Sequence, residues 1–119
     1  MMKKILIVDD DVGLLNIVQI ILQKRNFVVY AISEWENMPT CINTFKPDLI
    51  LLDIFLKGAN GGTLCMQLKG DKKTSHIPIL LFSGDHDIEA TVNDVGADGF
   101  IGKPFETTGL VQSIESLIE

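Results

Sequence analysis

Asp9, Asp10 and Asp11 follow one short apolar run of this 119-residue chain, and Asp53 follows another. Ser83-Gly84 and Lys103-Pro104 follow two more. Carboxylates gathered within about 5 Å of one another repel by about 3 kcal/mol per pair at an effective dielectric of roughly 20. Summed over a cluster, that rivals the stability of a small domain, about 5–15 kcal/mol. Such a group needs a divalent cation, the Lys103 ammonium, or raised carboxyl pKa values. Oxygen-only donors favour Mg2+, which keeps several waters and takes one or two carboxylates together with a phosphate. A carboxylate nucleophile, Mg2+ and a fixed lysine are the parts phosphoryl transfer requires, because the migrating group spreads negative charge over its oxygens.

Taken singly, each residue has an ordinary reading. Asp11 suits a helix N-cap as well as a metal, Asp9-Asp10 a solvated turn, and Ser83 a turn former. Lys103 reads alone as a surface charge, Phe100 as a core aromatic and Asp53 as a strand-end acid. Their joint placement is the signal, and it depends on the elements that carry them.

Those elements alternate. Ile5–Val8, Val28–Ala31, Leu49–Leu52, Ile79–Phe82 and the weaker Gly99–Ile101 are short apolar runs. Three are apolar at every position, as expected of parallel strands covered on both faces. Between them lie segments of helical period. Val12, Leu15, Val18, Ile21 and Leu22 mark the first helix; Trp35, Met38, Ile42 and Phe45 mark the second. Pro39 falls inside the second, so that helix either starts late with Asn37 as N-cap or kinks. Leu64 and Leu68 mark a third, and Ile88, Val92 and Val95 a fourth. Leu110, Val111, Ile114, Leu117 and Ile118 give the last helix its apolar stripe. About five βα units with right-handed crossovers predict an α/β doubly wound, five-stranded parallel sheet with helices on both faces. Such a sheet binds its ligand at the carboxyl ends of its strands. The acids, Ser83 and Lys103 all fall at that edge.

Length predicts one domain spanning residues 1–119. A net charge of −6 argues against a basic nucleic-acid surface, so no direct nucleic-acid partner is expected. No run reaches membrane-spanning length, and the N-terminal apolar segment is too short for a signal peptide, which together point to a cytoplasmic protein. Cys41 and Cys65 read as buried small hydrophobes in a reducing compartment. His76 and His86 offer no metal spacing and read as surface residues.

Ile-Val-Asp9-Asp10-Asp11, Pro47-Asp48-Leu-Ile-Leu-Leu-Asp53, Ile77-Pro78-Ile-Leu-Leu-Phe-Ser83-Gly84 and Gly96-Ala97-Asp98-Gly99-Phe100-Ile-Gly-Lys103-Pro104-Phe105 occur in this order. They resemble the successive signatures of response-regulator receiver domains, over essentially the whole chain. The resemblance implies a flavodoxin-like sheet of strand order 2-1-3-4-5. It implies a switch that takes a phosphoryl group onto Asp53 from a sensor histidine kinase or phosphotransfer protein. Asp9, Asp10, Asp53 and the backbone carbonyl of Phe55 would hold Mg2+. Ser83 would bond the phosphoryl oxygens, Lys103 would pair with them, and Phe100 would be the switch aromatic. The Lys103-Pro104 bond would be cis. The partner-binding surface would lie on the fourth helix, last strand and last helix. Outside its own phosphotransfer and autodephosphorylation, no enzyme activity is implied.

Three positions depart from the family pattern. Lys57 stands where Pro is frequent, with Gly58, Gly61 and Gly62 leaving that loop able to turn. Asn60 stands where Asp is common. Phe55 is bulky where many relatives carry a polar residue, so metal binding should survive while water access should not. Phe55 also weakens a haloacid-dehalogenase-like reading, which needs a second Asp there as general acid. A flavodoxin-like electron carrier is disfavoured because Asp9-Asp10-Asp11 would repel its phosphate. A phosphorylation-independent interaction module on the same fold is the remaining alternative. Trp35 is expected away from the acidic edge, and its fluorescence is expected to report poorly on it.

Overall fold

The computed structural model describes residues 2–84 and 93–118. In chain order these form β1 (Lys4–Val8), α1 (Val12–Gln23), β2 (Val28–Ile32), a 3-10 turn (Trp35–Asn37), α2 (Met38–Phe45) and β3 (Leu49–Asp53). Then come β4 (Phe55–Leu56), β5 (Ala59–Asn60), α3 (Gly61–Gly70), β6 (Ile79–Ser83), β7 (Gly99–Gly102) and a C-terminal helix (Thr107–Ile118). Five parallel strands make the main sheet in the order β2-β1-β3-β6-β7, which is the expected 2-1-3-4-5 order of its members. Ile88 and Val92 of the expected fourth helix lie outside the described residues, as does His86; Val95 closes a helical stretch over 93–95 and is buried.

The continuous apolar runs are explained by the two faces they serve. Leu6, Val8, Ile50, Leu52, Ile79 and Leu81 point to one side, against Met38, Cys41, Leu64 and Cys65. Ile5, Ile7, Leu49, Leu51, Leu80 and Phe82 point to the other, against α1 and the C-terminal helix. Each such side chain contributes about 1.5–3 kcal/mol when fully buried. Both cysteines are buried and free, as expected.

Local chemistry sets where the elements begin. Asp11 caps α1 by accepting the Leu14 N–H at 3.1 Å, which settles its ordinary reading. Val12 does not join the buried face of α1: at the helix start it is 57% exposed, while Leu15, Val18 and Leu22 are buried. The second helix starts late, with Pro39 in its first turn, where a missing N–H costs nothing. Asn37 occupies the cap position without a side-chain hydrogen bond. Asn60 caps α3, accepting the Gly62 and Thr63 N–H groups at 2.7 and 3.2 Å. Gly61, the first residue of α3, has no room for a side chain, because a Cβ there would sit 2.0 Å from the Asp53 carbonyl oxygen. No helix among the described residues is long and apolar enough to cross a membrane.

Candidate functional site

β1 and β3 are neighbours in the sheet, so their ends deliver Asp9 and Asp53 side by side, with Ser83 from β6 next in line. All three are buried. Lys103, just beyond β7, reaches across this edge: its Nζ lies 2.8 Å from Asp9 Oδ2 and 3.5 Å from Asp53 Oδ1. The ammonium also rests 4.6 Å from the centre of the Phe82 ring, whose face favours a cation. The backbone N–H of Lys103 donates to the Ser83 carbonyl at 2.8 Å, tying the two strand ends together. The Lys103-Pro104 bond is cis. Four of the residues predicted from sequence thus meet at one edge.

Electrostatics at this edge are unbalanced. Burial, and then the charge of Asp9, push the Asp53 carboxyl above the usual aspartate range; Lys103 and the Phe55 N–H act in the opposite sense. One ammonium therefore serves two buried carboxylates. The other Asp9 oxygen accepts the Asp11 N–H at 2.9 Å.

Asp10 is held differently. Its Oδ2 accepts the Lys57 N–H at 2.6 Å, so it leans on the loop after β3 rather than on Lys103. That loop is the β4–β5 hairpin, whose two-residue turn is Lys57-Gly58. The glycines predict a loop able to turn there; the structure shows that it is a hairpin. Trp35, expected away from the acidic edge, touches none of its acids but reaches it through one intervening residue. The Trp35 indole N–H donates to the Lys57 carbonyl at 2.9 Å, on the very residue that holds Asp10. The missed signal is chemical: a half-buried indole N–H needs an acceptor, and an exposed turn carbonyl supplies one.

Phe55 stands 61% exposed at the start of the hairpin, and Phe100 on β7 is 39% exposed. His76 is exposed, as expected.

A cation suits this edge. Every donor is a carboxylate or backbone oxygen, the ligand class of Mg2+, and two buried carboxylates share one ammonium. Among the described residues no three acidic, histidine or cysteine side chains close into a finished cage.

A family model described as the response regulator receiver domain matches residues 5–115. The chain belongs to this family. The DNA-binding response regulator MtrA of Mycobacterium tuberculosis (strain ATCC 25618 / H37Rv) is 34% identical over 118 residues, 98% of this chain and 50% of that protein. Protein RcaC of Microchaete diplosiphon is 35% identical over 117 residues, 97% of this chain but 18% of its own length. The chain therefore spans about half, or less, of these curated relatives. Among solved structures, a response regulator from Chloroflexus aurantiacus superposes with a TM-score of 0.93 at 28% identity, covering 99% of this chain and 98% of the other. The N-terminal domain of the nisin resistance regulator NsrR matches with a TM-score of 0.86 at 28% identity over the whole of both chains. This receiver domain is accordingly a phosphoryl-accepting signalling switch of the two-component kind.

Proposed function

We propose that Asp53 is the phosphoacceptor, and that Asp9, Asp10, Asp53 and the Phe55 carbonyl take Mg2+ beside it. The observation that carries this reading is the convergence on one buried edge of Asp53, Asp9 and a lysine within 3.5 Å of both. An Asp53 oxygen attacks the phosphorus of a phosphohistidine on a sensor kinase or phosphotransfer protein. The P–N bond breaks, its electron pair stays on the imidazole nitrogen, and that nitrogen takes up a proton. Bound Mg2+ supplies charge neutralisation for the phosphoryl oxygens in transit. Lys103 turns from Asp9 toward the new anion, and the Ser83 hydroxyl donates to it. Phe100 then moves from its half-exposed position inward, changing the surface around β7 and the C-terminal helix that a downstream protein reads. The setting is the cytoplasm, and neither nucleic acid nor membrane is a direct partner of this domain.

The test is the intact mass after mixing with Mg2+ and acetyl phosphate. The parent should gain one phosphoryl group, stable in acid and lost in hydroxylamine. Asp53→Asn should gain none while keeping its fold. A mutant that labels as well as the parent refutes the assignment.

A further inference from the structure

We propose that Trp35 and the backbone N–H of Lys57 are positioning groups for the Asp10 carboxylate, linking the start of α2 to the Mg2+ edge. This rests on the reading of Asp10 as a metal ligand. The β4–β5 pairing sets Leu56 opposite Ala59 and Phe55 opposite Asn60. In a two-residue hairpin the pair beside the turn exchanges both backbone hydrogen bonds. The next residue, Phe55, therefore turns its N–H and carbonyl away from the hairpin, and its N–H faces Asp53. Lys57 is two residues on, and its N–H, on the outside of the turn, donates to Asp10 Oδ2 at 2.6 Å. One short hairpin thus serves both acids.

Leu56, buried in the core with Val8 and Leu52, anchors the base of the hairpin. Trp35 packs against the same cluster and holds the turn itself, with its indole N–H 2.9 Å from the Lys57 carbonyl. A carboxylate has lone pairs enough to accept an N–H and bind a cation at once. Groups that orient a ligating carboxylate in this way typically change metal affinity by about 10–100-fold when removed.

Position 57 offers a clean way to remove the donor. Lys57 is not among the residues with positive φ, while Gly58 has φ +79°. That is the pattern of a type II turn, which favours Pro first and Gly second. Leu56 is extended, as a residue before Pro prefers. Lys57→Pro therefore deletes the N–H and keeps the turn; Lys57→Ala deletes only the side chain.

Mg2+ alone is titrated calorimetrically into the parent, Lys57→Ala, Lys57→Pro, Trp35→Phe and Asp10→Ala, each first checked for a parent-like melting profile. Lys57→Ala should bind no more weakly than the parent, because it keeps the N–H and removes only a nearby positive charge. Lys57→Pro and Trp35→Phe should each bind about tenfold more weakly. Trp35 is the single tryptophan, and its emission should change on adding Mg2+ to the parent with the calorimetric midpoint. Equal affinity in the parent, Lys57→Pro and Trp35→Phe overturns the positioning role, as does equal weakening by Lys57→Ala. Trp35→Phe decides the question alone where Lys57→Pro fails to fold. A parent that binds no Mg2+, or an Asp10→Ala that binds it undiminished, overturns the metal-site reading itself.

Discussion

Lys103 sits closer to Asp9, at 2.8 Å, than to Asp53, at 3.5 Å. Before phosphorylation its main task is thus to neutralise Asp9, which is 1% exposed. Truncating one partner leaves the other charge buried and unpaired, a cost of about 1–3 kcal/mol for a group that keeps another hydrogen bond. Lys103→Ala should lower the stability of the metal-free domain by about that amount. Saturating Mg2+ should restore much of it. Urea unfolding with and without Mg2+ checks both statements, and a variant as stable as the parent contradicts them.

Asp53 gives the stability a pH dependence of known sign. Its folded pKa is raised, by burial first and Asp9 second. Below the usual aspartate range, both folded and unfolded chains carry the proton and the group has no effect. Between the usual value and the raised one, the folded chain holds more of the proton. Stability therefore falls as pH rises through that window and stays lower above it. Asp53→Asn removes this penalty, so in metal-free buffer its midpoint should exceed the parent's at neutral pH, with the gap closing in acid. A gap that widens in acid contradicts the sign.

Ser83 and Phe100 should respond together. A charge-assisted hydrogen bond from the Ser83 hydroxyl is worth about 1.5–3 kcal/mol, enough to bias a two-state element by tenfold or more. Phe100 has no phenol hydroxyl, so only burial sets its balance between orientations. Ser83→Ala should still accept phosphate but show smaller backbone chemical-shift changes around Phe100. An undiminished response breaks the coupling.

Phe55 should lengthen the life of the phosphorylated state. Phe55 is 61% exposed, two residues after Asp53, the proposed acceptor. There it can exclude an attacking water but cannot orient one. Misplacing that water by about 1 Å costs on the order of 100-fold in rate. Phe55→Asn should release phosphate clearly faster at fixed Mg2+ and pH. An equal or slower rate removes Phe55 from the explanation.

The parallel sheet and its acidic edge were legible because β1, β3 and β6 are apolar at nearly every position, with Asp9 just after β1 and Asp53 and Ser83 closing β3 and β6. Strand period and topology did the converging. Two local details were not readable in the same way. Asp10 reaches the Lys57 N–H across 47 residues, and Trp35 reaches the Lys57 carbonyl across 22. Both bonds depend on where a two-residue turn comes to rest, which no periodic pattern encodes. Val12 was misplaced for a related reason: helical period continues to the end of α1, but the neighbouring surface that would cover it does not.

Gly61 has a mechanical consequence. With the space for its Cβ taken by the Asp53 carbonyl oxygen, and its N–H bonded to the Ile54 carbonyl at 2.7 Å, the head of α3 is welded to the backbone at Asp53 and Ile54. β3 and α3 can only travel as one piece. Charge arriving at Asp53 meets an anvil on that side of the sheet. Displacement on the arrival of charge is then left to the other flank of the sheet, where β6 carries Ser83 and β7 carries Phe100.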